Sequence, residues 1–113
     1  MQTVSTPIEL SELKKIAGRL FGNMVKAVVD IEAETLAVDA ELHSDLEAFL
    51  LENGSKQKNL WGINLYPDLS GNDFVEFDSM INVRPSQGNM SRGVESKPIQ
   101  KKIIEIVDKK IKK

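Results

Sequence analysis

The residues with the greatest capacity for chemistry lie in the polar segment 84–93, which follows an alternating apolar and polar run from Phe74 to Val83. The segment contains two arginines and two glycines among amide and hydroxyl side chains. Arginine donors match phosphate or carboxylate, and backbone N–H groups beside glycine can cradle an anion. We therefore predict an anion-binding loop with these ligand-binding residues: Asn82, Arg84, Ser86, Gln87, Asn89 and Arg92. No phosphate-loop or dinucleotide motif is present, so a purely structural loop is the alternative.

Carboxylates on the predicted strands form a second candidate site. Five acidic residues are expected on the polar face of the sheet, together with Asn64, Tyr66 and Asn82: Asp30, Asp39, Glu41, Glu76 and Asp78. If strand pairing brings some of them together, like charges raise a pKa, or the oxygens bind a divalent cation. A small hydrolase would use Asp78 or Glu76 beside Asn82 in this way. An ordinary solvent-exposed sheet face explains the same pattern, and the sequence assigns no metal ligand and no cofactor.

The single histidine, His43, lies between Glu41 and Asp45 at a predicted strand-to-helix junction. A carboxylate can orient a histidine base, and a pKa near neutrality suits proton transfer. The catalytic candidates are therefore Asp78, His43 and Glu41. The chain has no cysteine and no Gly-x-Ser-x-Gly motif to supply a nucleophile, so a histidine that makes local hydrogen bonds is the alternative.

Three amphipathic helices are predicted to position these residues. The first begins at an N-cap, Ser11, and ends at Gly22-Asn23. The second begins at Ser44, which has the spacing of a capping box with Glu47, and the third opens at Ser96. Apolar residues recur every three or four positions in each helix, which predicts one buried stripe per helix.

Four strands are predicted from alternating apolar and polar residues, many of them β-branched. They are residues 24–32, 35–41, 60–66 and 74–83, which form two hairpins, and residues 1–10 would lead in as an edge strand. The fold class is α+β: a two-layer, four-stranded, mainly antiparallel sheet of two hairpins packed by three helices in the order α-ββ-α-ββ-α.

Composition and charge narrow the class of protein. The chain has 113 residues with 41% hydrophobic and 28% charged residues, which predicts one globular domain, 1–113. Without a signal-like or membrane-spanning segment, the cytoplasm is the expected location and no membrane is expected as a partner. Residues 97–113 are basic, but the acidic remainder of the chain would repel nucleic acid, so nucleic acid is not the expected partner. A free edge strand would allow a homodimer.

Three segments resemble a family of small single-domain prokaryotic proteins known as a domain of unknown function. They are Glu41 to Asp45, Leu60 to Pro67 and Ile81 to Asn89. The resemblance covers nearly the whole chain and implies a stand-alone cytoplasmic protein, but it carries over no catalytic residue.

The residues therefore predict a small cytoplasmic binding domain that recognises an anionic ligand or an acidic partner segment through the 84–92 loop. The alternative is a small hydrolase that uses the sheet-face carboxylates, with or without a divalent cation. The sequence leaves open whether the protein is an enzyme.

Overall fold

The computed structural model describes all residues, 1–113. The helices and strands are, in chain order, β1 (Gln2–Val4), β2 (Ile8–Glu9), α1 (Leu10–Leu20), β3 (Val25–Asp30), β4 (Thr35–Val38), α2 (His43–Glu52), β5 (Leu60–Leu65), β6 (Val75–Glu76), α3 (Lys97–Lys110) and β7 (Ile111–Lys112). Single 3-10 turns lie at Gln57–Asn59, Gly71–Asp73, Met80–Asn82 and Pro85–Gln87. None of the helices combines the length and the apolar composition needed to cross a membrane.

The α+β class, the three helices and both antiparallel hairpins are confirmed, but the predicted four strands and their order are wrong. The main sheet has five antiparallel strands in the order β1-β4-β3-β5-β6. The fifth strand is β1, which pairs with β4 at one edge and confirms the edge strand expected within residues 1–10. A separate parallel pair joins β2 to β7. Strands of two or three residues are too short to show the alternation on which sequence-based prediction depends.

Apolar side chains on both faces of the sheet build two cores, so the predicted two layers are wrong as well. The larger cluster packs stripes of α1 and α3, including Leu13, Ile16 and Ile103, against the face that carries Ile63. The smaller cluster packs α2 against the opposite face. Its buried members are Val28, Ala37, Leu46, Leu50 and Leu60. The sheet therefore lies between α1 and α3 on one side and α2 on the other.

The predicted long strand from Phe74 to Val83 is wrong beyond its first residues. The ladder between β5 and β6 ends at the pair Asn64 and Glu76, and the chain then turns through Met80–Asn82. The fully buried Asn82 side chain pairs with the backbone of Gly62, because its Oδ1 accepts from the Gly62 N–H at 2.8 Å and its Nδ2 donates to the Gly62 carbonyl at 2.9 Å. One amide side chain thus replaces the next strand residue.

The predicted start of α3 is confirmed, whereas those of α1 and α2 are wrong. Ser96 caps α3 by accepting from the Ile99 N–H at 3.4 Å. The N-cap of α2 is Leu42 rather than Ser44, and no side chain caps that helix. The N-cap of α1 is likewise Glu9 rather than Ser11. The backbone N–H groups at the start of α2 are therefore not satisfied by a capping side chain.

Candidate functional site

Arg84, predicted to bind an anion, is buried; two of its nitrogens donate to the backbone, and its Nη1 is buried without a hydrogen-bond partner. It is 6% exposed, its Nη2 donates to the Leu60 carbonyl, and its Nε donates to the Ile81 carbonyl at 3.0 Å. Its guanidinium also lies over the Trp61 ring, 4.5 Å from the centroid. Burial lowers the pKa of Arg84, and the charge of Glu47 opposes that shift. Arg84 therefore hydrogen-bonds to the same edge of β5 as Asn82 does, two residues earlier in the strand.

Asn89 organises the polar loop from within. Its Nδ2 lies within hydrogen-bonding distance of three backbone carbonyls, those of Asn82 (2.8 Å), Gly93 (2.9 Å) and Ser91 (3.1 Å). Its Oδ1 accepts from the Glu95 N–H at 2.9 Å, and the side chain is 4% exposed. Asn89 is thus a structural centre of the loop, and its polar atoms already have partners.

Of the remaining predicted loop residues, two face solvent and one lines a cavity outside the loop. Ser86 and Gln87 are exposed. Arg92 forms an ion pair with Asp78, 2.8 Å from Nε to Oδ1. The six predicted ligand-binding residues therefore do not converge on one anion, and Arg92 is the one among them that lines a cavity.

The sheet-face carboxylates are also dispersed. Asp30 closes the β3–β4 turn by accepting from the N–H groups of Glu32 and Ala33, both at 2.9 Å. Asp39 pairs with Arg19, and Glu76 accepts from Asn64 and Tyr66. No group of three or more histidine, aspartate or glutamate side chains is arranged to hold a metal ion. Asp78 alone joins His43 at the cavity, which Glu41 does not line.

The cavity, which we call the α2 pocket, is the best candidate site. It has a volume of about 220 Å³ and lies at the start of α2, beside β5 and the segment 78–81. Seven of the residues that line it are polar or charged: Lys26, His43, Ser44, Asn64, Asp78, Ser79 and Arg92. The histidine candidate and the remaining arginine thus meet in one place.

Strand register positions two of these side chains. Lys26 on β3 pairs directly with Asn64 on β5, so their side chains project on the same face as neighbours. Sequence reasoning missed Lys26 as a site residue. The available signal is that Lys26 and Asn64 are each flanked by apolar residues within a strand, but the pairing that joins them is not visible in the sequence.

A glycine lets the segment 78–81 approach the sheet and form the far wall. A Cβ atom at Gly62 would lie 2.5 Å from the Cβ of Ser79 and 2.6 Å from its Oγ. Ser79 is buried, and its N–H donates to the Arg92 carbonyl at 3.0 Å. Because Gly62 has no side chain, Ser79 can lie against β5. This places Asp78, its neighbour in the chain, and Arg92, its hydrogen-bond partner, at the pocket.

The hydrogen bond of His43 defines which ring nitrogen remains free. Its Nε2 lies 2.8 Å from the Ile63 carbonyl, which can only accept, so Nε2 carries the proton. Burial lowers the pKa of His43, and the charge of Lys26 acts in the same direction. The Ile63 carbonyl, Asp78 and Asn64 oppose this shift without reversing it. At neutral pH the ring is uncharged, and Nδ1 is a lone-pair acceptor.

Comparison with known proteins gives one match. No curated protein and no solved structure matches this chain. The family model described as "Protein of unknown function (DUF5674)" matches residues 2–110, which is nearly the whole chain. The chain therefore belongs to the DUF5674 family of proteins of unknown function.

Proposed function

We propose that the protein is a binding domain for a small anionic ligand, and that the ligand occupies the α2 pocket rather than the 84–92 loop. The observation that carries this proposal is that two cationic side chains, Lys26 and Arg92, line one cavity at the start of a helix without a capping side chain. Cations and free backbone N–H groups at a helix start both favour negative charge.

The charges of the pocket support an anion over a cation. Lys26 and Arg92 contribute two positive charges, Asp78 contributes one negative charge, and His43 is uncharged. The Nε of Arg92 is bound to Asp78, which leaves the guanidinium's remaining donors for a ligand. A cation would meet a positive pocket, whereas an anion would be attracted.

The size of the pocket favours a small molecule over a segment of a partner protein. Sites for drug-sized ligands have volumes of about 300–1,000 Å³, and the α2 pocket has about 220 Å³. An acidic partner segment would have to insert a single side chain. The proposal therefore keeps the anionic ligand expected from the sequence and keeps Arg92, but it places the ligand elsewhere.

Melting temperature tests this proposal, because a ligand that binds only the folded state raises it. The probes are acetate and inorganic phosphate at constant ionic strength. We expect at least one probe to raise the melting temperature of the wild type but not that of the double variant Lys26→Gln/Arg92→Gln. The matched control, Lys56→Gln/Lys58→Gln, removes the same charge from exposed positions and should respond as the wild type does. Equal responses of both double variants, or no response of the wild type, would contradict the proposal.

A hydrolase is the second candidate, because His43 and Asp78 line the same pocket and Nδ1 of His43 is free to accept a proton. Ser44 also lines the pocket, but the hydrogen bond of His43 is to the Ile63 carbonyl rather than to a hydroxyl. A panel of ester and phosphoester substrates tests this candidate. Turnover that His43→Gln abolishes would favour the hydrolase, and turnover unchanged by that substitution would exclude His43 as its base.

A further inference from the structure

We infer that the ligand of the α2 pocket is a small monocarboxylate that carries a hydroxyl group near its carboxylate and a short apolar group. This inference rests on the proposed function and specifies the chemical class of the ligand. Three features of the pocket carry it: a buried acceptor without a donor, a net charge of one, and an apolar rim.

A buried acceptor without a partner calls for a hydrogen-bond donor on the ligand. Asn64 is 6% exposed, and its Nδ2 donates to Glu76 at 2.8 Å, while its Oδ1 is buried without any hydrogen-bond partner. His43 is 9% exposed, and its Nδ1 is the second acceptor. A ligand hydroxyl has a single hydrogen to donate, and Asn64 Oδ1, which has no partner in the free protein, is the acceptor that would gain most from it.

The net charge of the pocket matches a single negative charge on the ligand. Lys26 and Arg92 exceed Asp78 by one positive charge. A phosphate monoester carries a charge of about −1.5 to −2 at pH 7, which this pocket would neutralise incompletely. A carboxylate carries one charge and fits the planar donors of Arg92. An ammonium donor in place of the hydroxyl would add a cation beside Lys26, so the donor is a neutral hydroxyl.

The rim of the pocket is apolar and exposed. Leu42 and Met80 both line the pocket and are 53% and 66% exposed, and the partly buried Ile81 lies beside Met80. Single exposed apolar residues are common on protein surfaces, but these flank the opening of a polar cavity. The polar end of a ligand would therefore enter first, and a short apolar group would contact Leu42 and Met80 at the opening.

Isothermal titration calorimetry with matched probes tests this inference. The probes are 2-hydroxy-4-methylpentanoate, 4-methylpentanoate, leucine and inorganic phosphate. We expect the hydroxy acid to bind at least about tenfold more tightly than each of the others, since one hydrogen bond to a buried acceptor is worth that factor. Equal binding of 4-methylpentanoate, or tighter binding of leucine or phosphate, would overturn the inference while leaving anion binding intact. If none of the four probes binds, the proposed function is overturned as well.

A variant of the rim provides an independent readout. The double variant Leu42→Ala/Met80→Ala shortens two exposed side chains without adding a hydroxyl that could cap α2, and it should fold like the wild type. It should bind 2-hydroxy-4-methylpentanoate more weakly by about tenfold, while its affinity for glycolate, which lacks the apolar group, should not change. Unchanged preference for the larger hydroxy acid would contradict the apolar part of the inference.

Discussion

At the scale of single residues, buried amide and guanidinium side chains make hydrogen bonds to β5 that a neighbouring strand's backbone would otherwise make. Asn82 pairs with both polar groups of Gly62, and Arg84 donates to the carbonyl of Leu60, the next residue of β5 that faces the same edge. Asn89 contacts three further carbonyls. These polar side chains are buried because their backbone partners would otherwise be unsatisfied.

The first prediction compares a loop residue with a neighbouring apolar residue. Asn89→Ala should lower the free energy of unfolding by about 1–3 kcal/mol, because it leaves buried backbone groups without partners. Val83→Ala should change it by no more than about 0.5 kcal/mol, because Val83 is 37% exposed rather than part of the core. Urea denaturation measures both. A larger loss for Val83→Ala than for Asn89→Ala would contradict the structure of this segment.

The second prediction concerns the pH dependence of the free energy of unfolding. His43 is the only histidine, so no other imidazole contributes to it. The folded chain lowers the pKa of His43 through burial, so the unfolded chain takes up the proton first as the pH falls. Above the unfolded pKa of about 6.5 the ring is neutral in both states and contributes no pH dependence. Below it the folded state loses stability, by at most about 1.4 kcal/mol per pH unit.

Free energies of unfolding measured between pH 8 and pH 5 test this second prediction. The wild type should lose stability below about pH 6.5, and His43→Gln should give a flatter profile, because the carboxylates titrate at lower pH. Glu95, whose pKa is lowered by the N–H groups of Met90 and Ser91, acts only below that range. A wild type that gains stability on acidification would show that the folded state prefers the imidazolium.

At the scale of secondary-structure elements, the position of the 78–82 segment depends on one glycine of β5. Gly62→Ala should lower the free energy of unfolding by about 1–3 kcal/mol, because its Cβ would overlap the buried Ser79. The matched control is Gly18→Ala in α1, where no atom lies within 4 Å of the new Cβ. That change should raise stability by about 0.5–1 kcal/mol. A Gly62→Ala variant as stable as the wild type would place Ser79 elsewhere.

Helices and strands with a regular spacing of apolar residues were predictable. The segment in which side chains, rather than a strand, bond to β5 was not. The alternation of β3 and β5 and the stripes of α1 and α3 identified most of the larger core. The same alternation in residues 74–83 predicted a strand that does not form beyond Glu76, because the Asn82 side chain takes the place of that strand. An asparagine that pairs with backbone has the same local sequence pattern as one that faces solvent.

The candidate site was partly predictable for a related reason. His43, Asp78 and Arg92 stood out by residue type, and all three line the α2 pocket. Asn64 was expected among the polar residues of the sheet face, but Lys26 was missed, because its proximity to Asn64 comes from the pairing of β3 with β5. Arg84 has the residue type of an anion ligand, but burial and backbone carbonyls define its role.

At the scale of the whole molecule, cations and carboxylates from distant parts of the chain neutralise each other. Lys102 and Lys109 of α3 lie 3.1 and 3.3 Å from the carboxylate of Glu34 in the β3–β4 turn. Their hydrogen bonds lower the pKa of Glu34. Part of the basic C-terminal helix thus pairs within the chain, whereas Lys26 has no carboxylate partner in the α2 pocket.

The central claim is that the anion binds in the α2 pocket and not in the 84–92 loop, and an NMR titration tests it most directly. Backbone amide shifts are followed while acetate, inorganic phosphate and 2-hydroxy-4-methylpentanoate are added in turn. We expect saturable shifts at Lys26, His43, Ser44, Asn64 and Arg92, and unchanged signals at Ser86 and Gln87. Shifts confined to Ser86, Gln87 or the C-terminal lysines, with none at His43 and Asn64, would contradict the account.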